Sequence, residues 1–367
     1  MDDVTELYVL DEDYQILDLI DGFITLIWNK KYYGVGSFEL HCGVEYARLL
    51  QAGSYIYRKD DADTGIIEEF GYSNDTSYGK KVVVKGRFLK AKLENRVIDT
   101  AQNFSNQAAG AVLCQLVQTY CISPGDTERK IPKLVIGGGS GLGNRITTQI
   151  TGETLLDAME KICEEQELSC QIGYDFLTDR LLFRVWQGMD RTQGQSVNNF
   201  ATFNEEFDNI SGVEYNLERG YKNFAYVAGA GEGAARIIET VDIRKDGEER
   251  RELYVDARDL QPTDGDGNAI SEATYRQTLR QRGLEKLSDY QMKETIDTKV
   301  DSNNGFVYGV DYSLGDLVTF VDHEVGIVAE QRVTEIYEYI EEGERRIDAV
   351  FGQSKLNVME KIKKGVV

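Results

Sequence analysis

The run Gly137-Gly138-Gly139-Ser140-Gly141-Leu142-Gly143 has the composition of a phosphate loop. Gly138 and Gly143 match the outer spacing of one, but Asn144 and Arg145 stand where the lysine and the hydroxyl residue belong. Residues 146–150 read as extended. Neither the cation nor the helix N-terminus that holds a phosphate is therefore expected, and the run reads as a flexible loop. Asp264, Asp266 and Asn268 alternate as in a calcium loop. Ala269 occupies the glycine position and Tyr275 that of the bidentate acid, so half of the ligand shell is missing. A polar turn before a helix accounts for them.

Nucleophilic and metal chemistry fare no better. The two histidines are His41 and His323. His41 is followed by Cys42 in a strand pattern, where neighbours point to opposite faces, and His323 sits in a turn pattern, so no triad is expected. The five cysteines are Cys42, Cys114, Cys121, Cys163 and Cys170. Two pairs lie seven residues apart, not at zinc-site spacing, and buried free thiols are the reading. Glu68-Glu69, Glu205-Glu206 and Glu341-Glu342 are carboxylate pairs in a chain with 63 acids. They read as solvated faces and carry no information about glycosidase chemistry. The sequence predicts no catalytic, cofactor-binding or metal-binding residue.

The elements behind these residues belong to a chain of 367 residues, 41% of them apolar, enough for two or three packed domains. The longest apolar run, residues 23–28, has the length of a strand, not of a membrane span. An acidic start with Asp2, Asp3 and Glu6 does not fit a secretion leader, so synthesis in a cytoplasm is expected. A net charge of −22 argues against groove or backbone binding to nucleic acid, since phosphates would be repelled. It leaves open an inert, repelling wall along which DNA slides.

The clearest architecture lies at 315–352, where strand patterns at 317–321, 326–328, 332–340 and 346–351 are separated by Gly/Asp/Glu turns, as in an antiparallel meander. The same syntax recurs near the N-terminus. Gly53-Ser54-Tyr55-Ile56-Tyr57 matches Gly315-Asp316-Leu317-Val318-Thr319, and Gly65-Ile66-Ile67 matches Gly326-Ile327-Val328. Residues 81–86 match 346–350 with Gly352. This is a weak internal repeat, one β module at each end of the chain.

The fold class expected is α+β, mainly β: two tube-like antiparallel β-barrel or sandwich modules with an inserted small α+β domain. Residues 1–98 form the first module. Residues 99–195 form the inserted domain, with a helix at 107–120, a loop at 123–144, and a helix at 154–166 capped by Thr151. A hairpin of 169–174 with 181–186 completes it. Residues 196–354 form the second module, with strands at 214–217, 223–228, 236–244 and 250–256. Its helix at 271–288 carries a Tyr275, Leu279, Gly283, Leu287 stripe. Residues 355–367 are a basic tail. The 21 tyrosines, Tyr32, Tyr33, Tyr55, Tyr57, Tyr337 and Tyr339 among them, suit subunit interfaces and sheet packing equally.

Leu7-Tyr8-Val9-Leu10, residues 26–33 and Gly36-Ser37-Phe38-Glu39-Leu40 resemble the opening of the siphophage ReqiPepy-type tail proteins. Gly65-Ile66-Ile67-Glu68, Lys85-Gly86-Arg87-Phe88-Leu89, Arg129-Lys130-Ile131-Pro132 and Glu206-Phe207-Asp208-Asn209 fit the same family. So do Tyr221-Lys222-Asn223 with Val227-Ala228-Gly229, and residues 250–258. The resemblance is collinear over nearly the whole chain. It implies a structural hub of a phage tail tip or baseplate, or of a prophage tail-like particle, without catalytic residues, cofactor or metal. It implies a homotrimer whose two modules per chain imitate a six-fold ring. It implies partners in the tail tube or distal tail protein, the tape measure protein and a tip, spike or fibre protein, and a place in the virion. No lytic or receptor-binding extension is expected after the meander. A receptor- or carbohydrate-binding tail protein and a cell-wall hydrolase are the alternative readings.

Overall fold

A computed structural model describes residues 5–75, 79–204, 210–218, 220–263, 268–290, 293–300, 306–324, 326–341 and 343–353. The glutamates 205–206, Asp264, Asp266, Glu342 and the 355–367 tail lie outside the described residues.

One long antiparallel sheet runs through both ends of the chain. Its strands follow each other in the order Glu69–Asp75, Gly79–Arg87, Ser37–Cys42, Phe23–Lys31, Ile327–Glu341, Glu344–Gln353, Lys293–Val300 and Ile210–Glu218. The first four belong to the N-terminal module and the last four to the C-terminal one. In chain order each set is first strand, second strand, then a closing hairpin, so the second set repeats the first side by side. The sheets are open and stacked, so of the two expected forms the sandwich is the one realised.

Each module lays a second layer on this sheet. In the first, Ile16–Ile20, Leu7–Leu10, Tyr55–Arg58 and Thr64–Ile66 form a four-stranded sheet. Leu7, Val9, Ile20 and Ile56 bury against Leu26, Trp28, Leu40, Val82 and Val84. The alternation in Ser37–Cys42, with Phe38, Leu40 and Cys42 buried and the residues between them partly open, is the two-residue period of a half-covered strand. In the second module Leu317–Asp322 pairs with Ile327–Glu341 and, in parallel, with Thr202–Phe203. Phe203, Val318, Phe320, Ile336, Ile347 and Phe351 fill that core.

Backbone registers fix the repeat. Gly53 and Gly315 both adopt positive φ, +94° and +84°, in the left-handed region that favours glycine. Gly53 N donates to Ile67 O and Ile67 N to Ser54 O; Gly315 N donates to Val333 O and Val333 N to Asp316 O. The first anchor of the sequence repeat therefore holds, and the second moves: Ile67 corresponds to Val333, not Val328. Gly326 sits near the tip of a longer hairpin. The expected strands 326–328 and 332–340 are one strand, Ile327–Glu341, with a bulge between Val333 and Glu335.

Helix α1 (Ala109–Val117), which runs into a π turn at Gln118–Ile122, and helix α2 (Leu155–Gln166) pack on a sheet ordered Leu134–Gly138, Arg180–Trp186, Ser169–Asp175. Val112, Leu116, Met159, Ile162 and Phe183 share a core with Leu10, Tyr14 and Tyr55, which docks this unit on the first module. Two expectations change here. The stretch 123–144 contains the strand Leu134–Gly138, held by parallel pairing with Arg180–Trp186. Thr154, not Thr151, caps α2, its side chain accepting from Asp157 N.

Helix α3 (Glu272–Ser288), capped by Ser271, covers one face of a sheet ordered Ile238–Asp242, Phe224–Ala228, Glu252–Asp256. All four residues of its expected stripe are buried. A Cβ on Gly283 would stand 2.6 Å from Val241 Cγ2 and 2.7 Å from Val227 Cγ2, so glycine sets the helix-to-sheet distance.

Candidate functional site

Among the described residues, those with chemical potential do not converge. The glycine run leaves the strand Leu134–Gly138 and folds against the start of α1, where Leu142 O and Asn144 O accept from the Gly110 and Ala109 amides. Those amides would have to serve a phosphate, so the loop caps the helix with its own carbonyls. His41 meets Glu39 at 2.6 Å on the open face, while Cys42 points into the core. His323 lies in the turn after Leu317–Asp322. All five cysteines are free and buried. Glu68 takes Arg87 at 2.9 Å. Among the described residues no group of three or more His, Cys, Asp or Glu could hold a metal ion. Tyr32 and Tyr55 are core residues, and Tyr337 stacks on Tyr339 at 6.3 Å on the open face.

What the fold does bring together is the seam between the modules. Phe23–Lys31 pairs with Ile327–Glu341 from Thr25↔Glu341 to Lys31↔Glu335. Beneath this joint lies a charged cluster that the sequence reading missed. Arg58, at the end of an apolar strand, donates through Nη2 to Glu338 at 2.9 Å and to Asp60 at 2.7 Å. Glu338, 0% exposed between Ile336 and Ile340, also takes Arg345 at 2.8 Å. Burial opposes the charge on Arg58, but the bonds to Asp60 and Glu338 outweigh it and raise its pKa. Beside them Lys30 pairs with Asp61 at 2.7 Å and lies over the Tyr308 ring.

Asp63 faces this cluster from the same loop and accepts from Gln171 Nε2 at 2.8 Å. Burial, then the negative charge of Asp61, pushes its carboxyl up to about 7. A second buried pair, Arg332 with Glu167, ties the C-terminal module to the α2 unit, and Arg191 with Asp316 at 2.8 Å ties the following segment. One sequence signal could have flagged the first pair: the charge of Glu338 falls between Ile336 and Ile340, in step with their two-residue alternation.

The seam has two free counterparts. Ile210–Glu218 and Glu69–Asp75 end the long sheet, each with one neighbour among the described residues. On Glu69–Asp75, Phe70 is 44% and Tyr72 54% exposed. On the open face of the sheet lies a hollow of about 420 Å³ lined in part by Ile27, Asn29, Glu39, Lys85, Arg87 and Tyr337. This geometry suits assembly along strand edges more than catalysis.

Known proteins were compared with this fold. Three solved structures share it: a tail protein from Neisseria meningitidis MC58, the 43 kDa tail protein of prophage MuSo2 from Shewanella oneidensis, and prophage tail protein gp18 from Listeria monocytogenes EGD-e. Their TM-scores are 0.59, 0.56 and 0.55 at 13%, 15% and 13% identity. The alignments cover 96%, 95% and 98% of this chain and 99%, 98% and 99% of theirs. No curated protein matches. The family model described as Siphovirus ReqiPepy6 Gp37-like protein matches residues 6–353, nearly the whole chain. This chain therefore belongs to the Siphovirus ReqiPepy6 Gp37-like protein family.

Proposed function

We propose that the protein is the non-enzymatic hub of a phage tail tip or baseplate, or of a prophage tail-like particle, closing as a homotrimer. The carrying observation is the repeat of four strands in the same order within one continuous sheet, with one edge at each end unpaired among the described residues. Three copies joined edge to edge present six equivalent modules, the number a six-fold tail tube needs. The contact is heterologous, and its rotation must close for a ring to form. The three units at 1–98, 99–195 and 196–354 then act as ring module, outer domain and ring module. The open face lines a channel through which DNA or the tape measure passes. The tail tube or distal tail protein is the partner on one side, the tip, spike or fibre on the other. The protein is made in the host cytoplasm and resides in the virion. Among the described residues no helix is long and apolar enough to cross a membrane.

Native mass measurement of the full chain, with imaging of assembled particles, tests the reading. A trimer with an axial channel wide enough for duplex DNA is expected. A monomer without a channel, both alone and in particles, would overturn it.

A further inference from the structure

Resting on the ring proposed above, we propose the register of the joint between neighbouring copies: Ile210–Glu218 of one chain pairs antiparallel with Glu69–Asp75 of the next as the seam pairs within the chain. The alignment is Glu218↔Glu69, Leu217↔Phe70, Asn216↔Gly71, Tyr215↔Tyr72, Glu214↔Ser73 and Val213↔Asn74.

Three sets of backbone pairs carry it. Glu69–Asp75 and the end of Ile327–Glu341 open matching hairpins: Asp75↔Gly79 and Glu69↔Lys85 in one, Glu341↔Glu344 and Glu335↔Val350 in the other. Glu69 therefore stands where Glu335 stands, and Tyr72 where Glu338 stands. Ser37↔Arg87 with Leu40↔Val84, set beside Thr295↔Gly352 with Thr298↔Ala349, equates Ser37 with Thr295. Asn29↔Ser37 and Asn216↔Thr295 then equate Asn29 with Asn216 and Trp28 with Tyr215. Each of these first strands also carries a bulge near its start, between Phe23 and Thr25 in one and between Ser211 and Val213 in the other. Carrying the seam pairs Tyr337↔Asn29 and Glu338↔Trp28 across the repeat gives the alignment above.

Exposure agrees. Ile336 and Glu338, on the strand that the seam pairs, are 0% exposed; Phe70 and Tyr72, their equivalents on the unpaired edge, are left 44% and 54% exposed. Composition agrees as well. Val213, Tyr215 and Leu217 alternate with Glu214, Asn216 and Glu218. The proposed register sets the apolar members opposite Asn74, Tyr72 and Phe70, and a slip of one residue would set the glutamates there instead. One pair is unlike the seam. Lys31 meets Glu335 at 3.4 Å inside the chain, whereas the joint opposes Glu218 with Glu69.

The test uses full-length protein with two engineered cysteines, the five native ones being buried. Glu214→Cys with Ser73→Cys should give a ladder ending at a covalent trimer under mild oxidation. Glu214→Cys with Gly71→Cys, two residues out of register, should cross-link at least tenfold less. Separately, Glu218→Lys should slow trimer dissociation at low salt, and adding Glu69→Lys should reverse the gain. A trimer by mass that cross-links through Gly71, or that ignores the lysine exchange, overturns the register and leaves the ring standing. A chain monomeric alone and in particles overturns both.

Discussion

Replacing Glu338 with alanine should destabilise the protein by about 3 kcal/mol, the lower end of the 3–5 kcal/mol typical of breaking a buried ion pair by removing one partner. The structure decides where in that range the value falls. Arg58 has a side chain 1% exposed and loses its 2.9 Å partner, so its charge stays in the interior. Asp60 still accepts from Arg58 Nε at 3.1 Å and Nη2 at 2.7 Å, but it is 45% exposed and compensates in part. Arg345, 49% exposed, returns to water at little cost. Converting the pair together, Arg58→Met with Glu338→Leu, removes both desolvation penalties. Methionine can also keep contact with the Trp28 ring, over which the Arg58 guanidinium lies at 5.3 Å. The double variant should therefore lie within about 1 kcal/mol of the parent.

Urea unfolding followed by tryptophan fluorescence reads the change, with Trp28 beside Arg58 as the local reporter. Two results would refute the reasoning. Glu338→Ala within 0.5 kcal/mol of the parent would mean that the joint does not depend on the pair. A double variant as unstable as the single would mean that the loss came from packing, not from a stranded charge.

Two further outcomes follow. The Asp63 carboxyl is raised to about 7 in the folded chain by burial and by Asp61. The folded state thus holds a proton that the unfolded state releases near pH 3.9, so this group's contribution is full below that value and is lost as pH rises towards 7. Asp63→Asn keeps an acceptor for Gln171 and should raise the urea midpoint at pH 8 but not at pH 4; an identical pH slope in variant and parent would count against it. The anchor glycines should differ in a defined way. Gly53→Ala meets left-handed strain alone, its Cβ being 3.6 Å from the nearest atom, Glu12 Oε1, and should cost about 1 kcal/mol. Gly315→Ala adds a clash at 2.3 Å with the buried Tyr32 ring and should cost about 3 kcal/mol or more. Equal melting shifts for the two would contradict the packing described around Gly315.

The repeat was legible because its anchors are local. Positive φ at Gly53 and Gly315 writes itself as glycine, and each is followed by a strand of β-branched and aromatic residues. The misplacement of Gly65 on Gly326 has a plain cause: the C-terminal hairpin is longer, and a turn glycine marks the tip of a hairpin, not its register. Helix α3 was legible by its stripe of Tyr275, Leu279, Gly283 and Leu287. The strand Leu134–Gly138 was not, since Pro132 before it and Gly139-Ser140-Gly141 after it read as turn residues and its partner, Arg180–Trp186, lies far along the chain in a parallel pairing. The pairing within the seam cluster was not legible for the same reason. Arg58 and Glu338 stand 280 residues apart, and nothing local to either names the other.

The net charge of −22 suggested a wall that repels phosphate, and the open face of the sheet asks for a different account. Charges of both signs stand there in pairs: Lys85 with Glu39 at 2.8 Å, Lys31 with Glu335 at 3.4 Å and Arg346 with Asp348 at 3.3 Å. Such a face offers a passing polyanion neither a strong field of one sign nor a row of cations to neutralise its phosphates. Acidic groups on other faces are damped over about 8 Å at physiological salt, so they contribute little at this face. In the proposed ring, weak adhesion of DNA thus comes from cations already engaged by carboxylates next to them. The excess negative charge on the rest of the chain acts instead on solubility and on which neighbours the tail admits.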